Sequence, residues 1–194
     1  MNYKYSTEAI VFQFELVLKK GNSWPVWEFD QPCQLIDETA TDHQKIITVQ
    51  VALNPNSNKI ILKRSGKNSS DVIIENGIIV RDQVLKINKI WINDVLLEPF
   101  PVNSIAKFYP QYSQDDIDYG NQHNLVLEKS KHTMEFFYNG EWHFEFQQPF
   151  FIWYNQILLN DLSASNFYWT QQNHLGFVNE DNLKRLELLL DKLS

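Results

Sequence analysis

Cysteine is almost absent. The 194 residues include one, Cys33, so neither an internal disulfide nor a cysteine-ligated metal centre can form. With no histidine near it in sequence to act as a base, Cys33 is expected to be a small buried or partly buried thiol. Glycine is scarce too, at six residues, and no glycine-rich phosphate loop occurs. Lysine and arginine number 17 against 24 acids, a net charge of −7. A field of that sign repels phosphate backbones and argues against nucleic acid as a partner. No apolar run is long enough to span a bilayer, so no membrane role is expected. The opening Met1-Asn2-Tyr3-Lys4-Tyr5 lacks the basic-then-apolar pattern of a secretion leader, which points to a cytoplasmic protein.

What is present is aromatic. Thirteen Phe, eight Tyr and six Trp make 14% of a chain that is 43% hydrophobic. Many rings and few small residues favour broad sheets packed face to face. The length suits one domain over residues 1–194.

The strand signals agree. In Ile10–Lys19, Phe12, Phe14, Leu16 and Leu18 alternate with polar residues. Lys45–Leu53 and Lys59–Lys63 are two more strands around an Asn-Pro-Asn turn. Asp71–Asp82 predicts a β-hairpin, either on a two-residue Asn76-Gly77 turn or, preferred, on a three-residue loop ending at Gly77 that sets Asp71 opposite Arg81. Val84–Leu97 alternates, but its apolar parity changes near Asn88-Lys89, which predicts a bulge or a sheet switch there. His132–Gln147 predicts a second hairpin with Phe136 facing Trp142 and Glu135 facing His143. Pro149–Leu159 fits a buried strand or a short helix. Glu180–Leu193 carries Leu183, Leu186, Leu190 and Leu193 at helical spacing and predicts a C-terminal helix packed on the domain. The fold class expected is all-β, an antiparallel two-sheet jelly-roll-like sandwich with one C-terminal α-helix.

Chemistry is harder to find. No Gly-x-Ser-x-Gly elbow and no His-Glu-x-x-His occur, and His43, His123, His132, His143 and His174 share no metal spacing. The expectation is a protein without a catalytic site or a required cofactor. Pro99–Gly120 predicts a long surface excursion, where binding residues tend to sit. Asp115, Asp116 and Asp118 within it could hold calcium, although no distal glutamate completes an EF-hand loop; the alternative is a solvated acidic loop. Trp24 and Trp27, in a turn-rich stretch, could stack on sugars or enter a partner surface, joined by Tyr109, Tyr112 and Tyr119. Alternatively both Trp rings fold into the sandwich edge. Trp91, Trp142 and Trp153 sit in apolar runs and are assigned to the core.

Two segments carry a family pattern. One runs from Lys67 through Asp71-Val72-Ile73, Glu75-Asn76-Gly77, Ile79 and Asp82 to Ile87, Ile90 and Ile92-Asn93-Asp94. The other is Tyr138-Asn139-Gly140-Glu141-Trp142 through Phe146 and Pro149. Together, over about half the chain, they resemble small β-sandwich proteins of tailed phages, cyanophages especially, that decorate or complete the virion. The resemblance implies a non-catalytic structural or adhesive role, location in the virion, and assembly with virion components or copies of itself. The same sandwich serves carbohydrate-binding modules, so a glycan partner is the alternative.

Overall fold

The computed structural model describes residues 10–53, 57–76, 78–97 and 99–158. The chain divides into two units, Met1–Tyr154 and Asn155–Ser194, and the sandwich belongs to the first. The helix expected over Glu180–Leu193 lies outside the described residues.

The fold is all-β and antiparallel. One sheet has the order β11 (Glu135–Phe136), β8 (Val84–Ile92), β1 (Val11–Lys19), β4 (Gln44–Ala52) and β3 (Cys33–Ala40), with β9 (Val95–Leu96) also paired to β8. The other has the order β10 (Lys107–Gln111), β12 (Asn139–Glu145), β5 (Lys59–Ser65) and β2 (Val26–Phe29). β6 (Ile73–Glu75) and β7 (Ile78–Arg81) form a two-stranded sheet of their own. The chain crosses repeatedly between the two larger sheets, in the manner of a jelly roll.

Alternation builds the core. Phe12, Phe14, Leu16 and Leu18 of β1 are buried, opposite Ile47, Val49 and Val51 of β4. The sheets meet through rings: Phe14 lies edge-on to Trp142 and tilted against Phe29, and Phe12 lies edge-on to Phe144. Each such ring or large aliphatic side chain contributes roughly 1.5–3 kcal/mol by leaving water. Of the bulge or sheet switch expected in β8, the bulge is present. Glu15 pairs with Lys89 and Leu16 with Ile87, leaving Asn88 as the extra residue. Leu85 and Ile87 before it, and Ile90 and Ile92 after it, therefore all point inward despite opposite parity.

Several expectations are corrected. The segment His132–Gln147 does not close as a hairpin. β11 pairs with β8 in one sheet and β12 with β5 and β10 in the other. Phe136 and Trp142 are both buried, but they enter the core from opposite sheets; local pairing and a sheet crossover bury the same residues. Glu135 faces Lys86, and His143 meets Glu141 on its own strand at 3.0 Å.

The excursion after Pro99 contains α1 (Pro99–Ile105), β10 and α2 (Gln114–Gln122). Val102, Ala106 and Phe108 are buried in it, and Phe108 stacks on Phe136 with ring centroids 4.6 Å apart. Cys33 is exposed, because it lies on edge strand β3, whose eight residues are all exposed. Of the tryptophans assigned to the core, Trp142 is fully buried, whereas Trp91 and Trp153 are half-buried. Trp91 lies under the Lys89 ammonium; Trp153 packs at the margin on Phe146 and Phe150. The ambiguous run after Pro149 is helical over 150–158, with the Trp153 N–H donating to the Pro149 carbonyl.

Candidate functional site

The β6–β7 hairpin projects from the sandwich as an arm, and its root is the most polar buried place among the described residues. Asn68 caps a 3-10 turn, Ser69–Asp71, in a capping box with Asp71. Asp71 is fully buried. Its carboxylate accepts from the Ser23 backbone at 2.7 Å, the Ser23 hydroxyl at 2.9 Å and the Asn68 backbone at 3.1 Å. Gly21 makes this approach feasible: a Cβ there would lie 2.4 Å from the Asp71 carbonyl oxygen. Burial alone would raise the Asp71 pKa, but the bonds from Ser23, Asn68 and Asn22 outweigh it and hold the carboxyl below its ordinary value.

The other end of the arm is tied equally well. Gln83 is fully buried and donates through Nε2 to the Ser23 hydroxyl at 2.9 Å. It accepts from the Arg64 guanidinium on its backbone oxygen at 2.8 Å and on Oε1 at 3.1 Å. Arg64 extends inward from β5 on the face of Ile60 and Leu62, and only 1% of it is exposed. Burial pulls its pKa down to about 10, against the opposing charges of Asp82 and Asp71. Among the described residues its Nε and Nη1 have no hydrogen-bond partner, nor does the buried Nε1 of Trp142. Lys67 completes the root by donating to Asp82 and, at 2.6 Å, to the Phe137 carbonyl. Asn139 holds the Lys67 backbone with a bond in each direction.

Beyond this root the arm is apolar and open. Ile74, Ile78, Ile79 and Val80 are 60%, 67%, 59% and 52% exposed. Glu75 pairs with Ile78, so two residues separate the strands rather than the preferred three; Asn76 has a φ of 52°, and Gly77 lies outside the described residues. Ile73, rather than Asp71, faces Arg81, and Val80 is the extra residue on β7 between Ile79 and Arg81. Asp71 is withdrawn into the root, where three donors satisfy it better than one exposed cation would.

The residues expected to bind are spread over separate places. Trp24 is half-buried, with the Lys45 and Lys20 ammonium groups 5.1 and 5.7 Å from its ring. Trp27 sits on β2 rather than in a turn, edge-on to Phe29. No ring contact joins the two among the described residues. Tyr109, on β10, lies against His143, and Tyr119, on α2, against His123. The Tyr112 hydroxyl donates to the Glu128 carbonyl at 3.0 Å and its ring meets Tyr138 edge-on. Burial, aided by Glu128 and Asp116, pushes the Tyr112 phenol above its ordinary pKa; Tyr138 is raised by burial and Asp116.

Asp115, Asp116 and Asp118 lie on α2, not in a loop. Ser113 caps that helix in a capping box with Asp116, and Asp118 accepts from Gln114. Carboxylates in a first turn match the positive helix end. Among the described residues no group of three or more His, Cys, Asp or Glu is placed to hold a metal ion. No helix among them is long and apolar enough to cross a membrane.

Sequence reasoning missed Arg64, Asp71 and Gln83 as a unit. One signal existed: Ile60, Leu62 and Arg64 share strand parity, which directs Arg64 inward. Comparison with protein-family models, curated proteins and solved structures finds no match.

Proposed function

We propose that this chain is a non-catalytic assembly protein that docks on protein partners through the β6–β7 arm, as a structural component of a phage virion. The observation that carries this reading is the arm: four large aliphatic side chains, each more than half exposed, on a hairpin whose two ends are fixed by buried hydrogen bonds. An isolated two-stranded hairpin is marginal in water, and a tethered root supplies the order its strands cannot. Apolar anchors held in place before contact lose little entropy on binding, which is the condition for efficient docking. The virion assignment adds the resemblance of Lys67–Asp94 and Tyr138–Pro149 to phage decoration proteins. A glycan-binding reading would instead draw on the exposed rings of Tyr109 and Tyr119.

The test is mass spectrometry of purified particles from infected cells producing either the wild-type chain or Ile78→Asp. Incorporation of the wild type and exclusion of the variant is the expected result. Absence of both from particles would overturn the virion reading.

A further inference from the structure

We infer that the arm is a self-association surface, on which Ile73, Glu75, Ile78 and Arg81 pack face to face, strands crossed, against the same four residues of a second copy across a two-fold axis. This rests on the reading of the arm as a docking element and names its partner.

The strand register carries the argument. Ile73 pairs with Arg81 and Glu75 with Ile78. Cross-strand partners share a face, and so do residues two apart on one strand, so these four form one surface. On it the acid lies at the tip and the base at the root, roughly 7 Å apart along the strands. A two-fold axis along the Ile73–Ile78 diagonal of this surface sets Glu75 of each copy against Arg81 of the other and brings Ile73 and Ile78 each onto its own counterpart. An isologous contact demands such a self-complementary order. Glu75 and Arg81 are both exposed, and neither has an ion pair among the described residues.

Charge elsewhere points the same way. Each chain carries −7, yet residues 73–81 hold one acid and one base and are neutral. Two copies therefore meet with least repulsion at the arms. The bulge at Val80 interrupts the β7 edge, which disfavours strand addition there. The arm is smaller than the roughly 800 Å² a side of a standard interface. The contact is accordingly weak in free solution and strengthened where copies are held side by side.

Sedimentation equilibrium of the full chain from low to high micromolar concentration tests this. The wild-type mass should rise toward that of two chains and fall back in molar salt. Ile78→Asp and Glu75→Arg should each remain monomeric, and Glu75→Arg with Arg81→Glu should restore the dimer. A wild type that stays monomeric throughout, or a dimer indifferent to these variants, overturns the inference. Arm-dependent entry into particles by such a monomer would leave the docking reading intact and remove only self-association.

Discussion

Ser23 donates twice to one oxygen of Asp71, from its backbone N–H at 2.7 Å and from its hydroxyl at 2.9 Å. Forty-eight residues separate the two in sequence. The pair thus joins the loop after β1 to the foot of the arm, and Gln83 reaches the same serine from the arm's other end.

Asp71→Asn should destabilise the fold by about 2 kcal/mol at neutral pH, the scale of hydrogen bonds to a buried charge. The folded pKa lies below the ordinary value of 3.8. The unfolded chain therefore takes up the proton first as pH falls. The stabilisation is complete above about pH 5 and is lost as pH drops through 3.8 toward the folded pKa. Urea unfolding at pH 7 and in steps below pH 5 checks this. The wild type should lose more stability on acidification than the variant, and equal acid limbs would refute the role given to Asp71.

Arg64 and Gln83 should behave as one unit. Arg64→Met strands two buried acceptors, while Gln83→Leu strands part of a buried guanidinium. Each should cost about 2 kcal/mol, within the range for unsatisfied buried groups. The double variant strands fewer groups and should cost at least about 1 kcal/mol less than the sum. Additive losses in a double-mutant cycle would show that the two do not depend on each other.

Gly140 has a φ of 151°, and a Cβ there would lie 2.3 Å from the Tyr109 carbonyl oxygen on the adjacent strand. Gly140→Ala should therefore cost at least about 3 kcal/mol, a fall in Tm of roughly 6–12 °C for a domain of this size. Gly120→Ala is the comparison. It lies in α2, where the nearest atom to a Cβ is a leucine side-chain carbon at 3.3 Å, and the helix should gain or lose less than about 1 kcal/mol. Thermal scans of both variants decide it; comparable shifts would remove the special role of Gly140.

The legible parts of this fold are those whose signal is local. β1 was readable because one face is wholly apolar. The irregularity of β8 was readable because a parity change has few other causes. β3 was not readable, since an edge strand exposed on both faces carries no burial pattern. The stretch around Phe136 and Trp142 misled because a hairpin and a crossover require the same inward residues and differ only in the distant strands that receive them. The acidic residues at 115, 116 and 118 were legible as a cluster but not as a helix start, which needed Ser113 to be recognised as the cap. The arm's turn was visible in Asn76-Gly77. Its root was not, because Ser23, Arg64, Asp71 and Gln83 become neighbours only after the sheets have formed.

The extra residue at Asn88 has a consequence for how this protein can change over evolutionary time. Substituting its exposed side chain would alter little beyond the contact with Glu15. Deleting it would join Ile87 directly to Lys89 in an unbroken two-residue rhythm that keeps Leu85, Ile87, Ile90 and Ile92 on the inward face. Only the kink, its added twist and the contact with Glu15 would go. Lineages of this chain are thus free to shed this position as well as to vary it, whereas losing Lys86 would put Leu85 out of step with Ile87.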